Sequence, residues 1–173
     1  ITAIPIQTKD FQWTTSTNYS TNKNKLLSLS NDQFISSGYS DKGSTGEPLQ
    51  TTTHRIQEGE PIGNFWGYKT IDIDDNGHWI IEGADGNPKP ISEQQPTDKQ
   101  VIGNGLPKHY LNWNNSISWK GFDFSMFWQG VGRRNVWLRG ESVEAFHNNN
   151  EGPVFDFHLD RWTPNNPDAS YPR

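Results

Sequence analysis

The chain has 173 residues, a formal net charge of -5 and 31% hydrophobic residues, with a mean hydropathy of -0.88. It contains no cysteine, which excludes disulfides, thiolate metal sites and cysteine nucleophiles. No window approaches the roughly 18 consecutive apolar residues of a membrane-crossing helix, and the acidic balance argues against a nucleic-acid partner.

In chain order, Ile4 and Ile6 close an incoming strand and Thr8-Lys9-Asp10 makes a short turn. Residues 11–20 then alternate, with Phe11, Trp13, Thr15, Thr17 and Tyr19 against Gln12, Thr14, Ser16, Asn18 and Ser20. A polar stretch over 21–49 follows. A strand over 51–57 ends at Glu58-Gly59-Glu60-Pro61, a second tight turn, and 62–71 leaves it as a strand rich in Phe65, Trp66 and Tyr68. A second long segment, 72–107, leads to a hairpin. A third, polar, runs from Val131 to the end; its best helical candidate, Glu141 to Asn149, has apolar residues only at Val143, Ala145 and Phe146.

The hairpin over 110–129 is the most informative stretch. Leu111, Trp113, Ile117 and Trp119 share one face of its first segment, and Asn112, Asn114, Ser116 and Ser118 the other. After Lys120-Gly121 the apolar face passes to Phe122, Phe124, Met126 and Trp128, opposite Asp123, Ser125, Phe127 and Gln129. Each run has the length of about 9–11 residues needed to cross a bilayer as a tilted strand. An aromatic face opposite Asn, Ser, Asp and Gln suits lipid outside and a wet lumen inside. The low mean hydropathy does not oppose this, because every second residue of such a barrel faces water. The aromatic share of 13%, with eight Trp, fits interfacial girdles. The turns are expected to run short, long, short, long, short, long, the rhythm of a barrel with brief turns at one rim and extended loops at the other. The start at Ile1 without Met and the end at Pro172-Arg173 read as a piece of something longer.

Four segments carry a resemblance: 8–29 (TKDFQWTTSTNYSTNKNKLLSL), 58–71 (EGEPIGNFWGYKTI), 101–130 (VIGNGLPKHYLNWNNSISWKGFDFSMFWQG) and 161–173 (RWTPNNPDASYPR). In this order, over most of the chain, they resemble the carboxy-terminal half of SusC/RagA-type TonB-dependent outer-membrane transporters. The resemblance implies an all-β chain, 1–173 being antiparallel strands of a transmembrane barrel of about 22 strands, with long extracellular loops and short periplasmic turns. It implies that the plug domain, TonB box and last strands lie outside the chain. It also implies import of oligosaccharides or peptides across the bacterial outer membrane, a SusD-like surface lipoprotein as lid, and energy relayed by the TonB complex. On that reading Trp113, Ile117, Trp119, Phe122, Phe124 and Trp128 face outer-membrane lipid. Asn112, Asn114, Ser116, Asp123 and Gln129 face the lumen. The stretch 72–99 departs from the family's pattern, so no inherited role is carried onto it.

Asp72, Asp74, Asn76 and Gly77 reproduce the first half of a calcium loop, with hard oxygens at alternate positions. The bidentate acid expected at the twelfth position is Gly83, so a β-turn at Asp75-Asn76-Gly77 between two β-prone runs is the favoured alternative. The five histidines have no metal spacing, and no nucleophile elbow or phosphate loop occurs, so no enzyme and no cofactor are expected. Loop aromatics Trp79 and Trp137 are candidates for substrate stacking, with loop packing as the plainer reading. Arg133, Arg134 and Arg139 form a local basic cluster. The rival assignment is a secreted carbohydrate-binding β-module with calcium at the Asp72 loop, which would need its aromatic faces buried in a sandwich.

Overall fold

The computed structural model describes residues 1–29, 37–45, 50–137 and 156–173. The helical candidate at 141–149, with Phe146, and the third arginine of the basic cluster, Arg139, lie outside the described residues. In chain order the strands are β1 (Thr2–Gln7), β2 (Phe11–Thr21), β3 (Tyr39–Lys42), β4 (His54–Gln57), β5 (Asn64–Gly67), β6 (Thr70–Ile73), β7 (Trp79–Glu82), β8 (Pro88–Pro90), β9 (Gln100–Asn104), β10 (His109–Trp119) and β11 (Phe122–Gly132). Three short 3-10 turns cover Ile91–Glu93, Pro96–Asp98 and Asp156–Leu159. The architecture is antiparallel β-structure, as the alternation of the sequence requires.

The chain divides into two units. The first comprises 1–24 and 106–135. It is one sheet in the order β1-β2-β10-β11. The pairing of β10 with both neighbours runs without a slip: Trp119 faces Phe11 and Phe122, and His109 faces Thr21 and Gly132. A register this regular is what period-2 patterning specifies, because a slip of one residue would exchange the two faces. Its two short turns lie at the same end and are tied by the Lys120 amide donating to the Asp10 carbonyl at 3.0 Å. The Lys120-Gly121 turn has φ of 47° and 87°, the two-residue primed form whose twist matches its strands. The other end is closed by Asn22 N–H to Lys108 C=O and Lys108 N–H to Gly132 C=O, both at 3.1 Å.

Here the structure corrects the sequence reading. The strands over 51–57 and 62–71 are not long barrel-type strands, although the tight turn between them is present, with the Glu60 amide donating to Gln57 C=O at 3.2 Å. β4 and β5 have four residues each, pair with each other at His54↔Phe65 and Arg55↔Asn64, and belong to a different sheet. β2 passes directly to β10, so the two expected long loops are one excursion, and the turn rhythm is short, long, short. The physical cause is local. Pro61, Gly63 (φ 90°) and Gly67 interrupt the run, and no stretch between them reaches membrane-crossing length.

The second unit comprises 25–105 and 136–173. It holds the sheets β3-β4-β5-β9 and β6-β7-β8. Among the described residues, the buried hydrophobic side chains, Phe65, Ile81 and Ala169, all belong to it. Its centre is held by aromatic and ionic contacts. The Arg55 guanidinium lies 3.8 Å from the ring centroids of both Tyr39 and Trp66 and grips Asp41 at 2.6 and 2.9 Å. Asp98, 3% exposed, accepts from the Ala84 and Gln95 amides and pairs with Lys89 at 2.7 Å.

Candidate functional site

Residues directly opposite in an antiparallel pair point to the same side, so the register assigns both faces of the first unit. One face carries, row by row from the turn end, Phe11–Trp119–Phe122, Trp13–Ile117–Phe124, Thr15–Asn115–Met126, Thr17–Trp113–Trp128 and Tyr19–Leu111–Gly130. All six residues expected on the aromatic side are therefore together. Phe122 is 75% exposed, Phe124 and Trp128 each 59%. Of these five rows, the middle one carries no ring, only threonine, asparagine and methionine.

The opposite face carries Gln12–Ser118–Asp123, Thr14–Ser116–Ser125, Ser16–Asn114–Phe127, Asn18–Asn112–Gln129 and, at the loop end, Ser20–Tyr110–Val131. All five residues expected on the polar side are here. The Ser118 hydroxyl donates to the Asp123 carboxylate. Nothing in the first unit buries either face, because its sheet is one layer thick and Asn115 is its one buried residue among those described. At about 3.3 Å per residue, strands of 11 residues are about 36 Å long, or about 25 Å along an axis tilted by about 45°.

Asn115 was not singled out from the sequence, although it shares parity with Trp113 and Ile117. It is 4% exposed and accepts from Trp13 Nε1 at 3.1 Å, while Trp113 Nε1 donates to Thr15 Oγ1 at 2.9 Å. Both indole N–H groups at mid-height are satisfied within the aromatic face, which apolar surroundings demand. The asparagine's own Nδ2 has no partner. Towards the loop end, the Tyr19 hydroxyl and His109 Nδ1 lie 2.6 Å apart.

The two loop tryptophans are not brought together in one site. Trp137 packs its ring against Phe65 at a centroid distance of 5.9 Å. Trp79 lines an open groove of about 600 Å³ with Ile71, Asp72, Asp75 and the segment Pro167–Ser170. The Asp72–Gly77 loop is a turn: Asp74 Oδ1 accepts from the Asn76 and His78 amides at 2.9 and 2.8 Å, and Gly77 N–H donates to Asp74 C=O at 2.9 Å. These bonds, the His78 amide first, hold the Asp74 carboxyl below the usual carboxylate range. Gly77, at φ 81°, leaves room for the Trp162 ring. Among the described residues, no group of three or more His, Asp or Glu side chains converges as a metal would require.

No family model matches the chain. Three curated proteins of Formosa agariphila do. TonB-dependent receptor P3 is 33% identical over 142 residues, covering 72% of this chain and 13% of that protein. TonB-dependent receptor P26 is 31% identical over 182 aligned residues, covering 97% of this chain and 17% of that protein. The chain belongs to the TonB-dependent receptor family. TonB-dependent receptor P39 adds 38% identity over 74 residues, 42% of this chain and 6% of that protein. The chain thus spans less than a fifth of the length of the receptors it matches. No described helix is long and apolar enough to cross a membrane, which says nothing of crossing by strands.

Proposed function

We propose that this receptor segment is part of the membrane wall, with an attached extracellular excursion, of a SusC-type importer in the bacterial outer membrane. The observation that carries the reading is the gathering of most exposed rings on one face, opposite a face of mainly amides and hydroxyls, on three strands of 11 residues in continuous register. In water such an aromatic face would be an aggregation liability. Against acyl chains it needs no further cover. The sheet ends in β1 on one edge and β11 on the other, and a membrane tolerates no lipid-exposed edge. On this reading further strands of the parent protein close it into a barrel, which the resemblance implies has about 22 strands.

In this reading Trp113, Ile117, Trp119, Phe122, Phe124 and Trp128 touch lipid, and Asn112, Asn114, Ser116, Asp123 and Gln129 line water. The short turns face the periplasm, and the excursion over 22–108 lies outside the cell. There it is placed to meet a SusD-like lipoprotein and an oligosaccharide or peptide cargo, with Trp79 as the loop ring open to a groove. Energy comes from the TonB complex through parts of the parent protein outside this chain, and no catalytic residue or cofactor takes part.

The chain has no cysteine, so single cysteines can report each face in a parent receptor freed of any others. Ser116→Cys should react with a membrane-impermeant thiol reagent. Phe124→Cys should resist it, and a fluorophore attached there during refolding should be quenched by brominated acyl chains. Equal aqueous reactivity at the two positions would sink the assignment.

A further inference from the structure

Away from the loop end, where the row Ser20–Tyr110–Val131 also lies on the polar side, one residue does not fit the division of the two faces. Phe127 is 63% exposed on the polar side, at the midpoint of β11. Mid-height is the wrong place for an interfacial anchor, which belongs at the headgroup level. The polar side is also the wrong face for lipid contact. Directly across from Phe127 stands Asn114, with Ser16 beyond it, and the next row is Asn18–Asn112–Gln129. Among the described residues of this face Asp123 is the one charged side chain. It sits at the turn end and is engaged by Ser118.

We infer that Phe127 and the flanking amides Asn112, Asn114 and Gln129 form a contact point for an uncharged, hydroxyl-rich ligand, a neutral oligosaccharide, on its way through the pore. The inference rests on the importer reading, in which this face lines the lumen. An exposed ring offers a flat apolar surface of negative potential, which suits the C–H face of a pyranose. The amides beside it supply donors and acceptors for the hydroxyls at the sugar's edge. Among the described residues of this face, no cation and no carboxylate other than Asp123 stands near the ring, which gives these strands no purchase for sulfated, uronic or strongly basic cargo. A few placed polar groups around one apolar surface are the usual composition of a small-ligand site.

The test measures uptake of labelled uncharged oligosaccharides (α-glucan, β-glucan, mannan and xylan fragments) by cells producing the full-length receptor or its variants. Phe127→Ala should weaken the apparent affinity about five-fold, the loss expected for one stacking ring. Phe127→Trp should restore it, with the same amount of folded receptor in the outer membrane. Unchanged affinity in Phe127→Ala overturns the inference, as does an unaltered receptor that takes up none of the panel. Phe127→Cys separates the two levels of the argument. If it reacts with an impermeant thiol reagent while uptake is unaffected by Phe127→Ala, only the contact point is lost. If it resists the reagent and Phe124→Cys reacts, the faces are inverted and the importer reading falls with it.

Discussion

Trp13 and Asn115 meet across neighbouring strands, the indole Nε1 donating to the amide Oδ1 at 3.1 Å in the middle of an otherwise apolar face. Beside them Trp113 donates to Thr15 at 2.9 Å. Each bond solves the same problem, an N–H group that apolar surroundings would leave unpaired. Together they join β2 to β10 by side chains as well as by the backbone ladder.

Breaking either side of the Trp13–Asn115 pair should destabilise the receptor. Trp13→Phe and Asn115→Ala should each cost about 1–2 kcal/mol, and the double variant less than the sum by about 1 kcal/mol. Urea unfolding of the refolded full-length receptor in detergent measures the cycle. Strict additivity would show that the bond contributes nothing.

Charge on the aromatic face should block assembly where charge on the polar face does not. Trp113→Arg or Phe124→Arg should cost about 2–4 kcal/mol near mid-membrane, while Asn114→Arg should leave folding intact. The amount of heat-modifiable receptor in the outer membrane reads the difference. Comparable losses at Phe124 and Asn114 would contradict the face assignment.

The hairpin turn makes a prediction of opposite signs at adjacent residues. Lys120 holds φ 47° and Gly121 φ 87°, a conformation that asparagine and glycine adopt with little strain. Lys120→Asn should stabilise the receptor by a few tenths of a kcal/mol, and Gly121→Val should destabilise it by about 1–2 kcal/mol. Chemical denaturation midpoints would show the two shifts, and a neutral Gly121→Val would contradict the turn geometry.

Acid should loosen the second unit through Asp98. The Lys89 ammonium, followed by the Ala84 amide, holds this carboxyl below the usual carboxylate range, against the opposing effect of burial. A depressed folded-state value stabilises the fold above the unfolded value of about 3.9, and that contribution is lost as pH falls through the folded value. Protection of the Ala84 and Gln95 amides in hydrogen exchange should therefore drop below about pH 4. In Asp98→Asn it should be weaker at neutral pH and lack that acid-dependent loss. A wild-type profile that is flat down to pH 2 would refute the link.

The long hairpin was readable from its residues because both its patterns are local. Period-2 alternation over β10 and β11 needs no knowledge of what packs against it, and the glycine after Lys120 marks the turn. The same counting would have put Asn115 on the aromatic side, but a lone polar residue in such a row carries no local sign of its partner. Residues 51–71 misled for the converse reason. Phe65, Trp66 and Tyr68 have strand propensity, yet Tyr68 joins no strand, and the one that holds Phe65 and Trp66 is set by Arg55 stacking between Tyr39 and Trp66 and by pairing to β9, a strand more than thirty residues distant. Likewise the turn at Asp74–Gly77 was legible from its Asp-Asn-Gly sequence, whereas Trp162 closing over Gly77 was not.

By itself, then, the sequence determined the two chemistries of the membrane-type strands, because side chains alternate with the pleat wherever the strand is placed. Only the tertiary structure decided which strands are neighbours. β2 pairs with β10 across a gap of more than eighty residues because their faces and lengths match, and such long-range pairing leaves no periodic mark on the residues between.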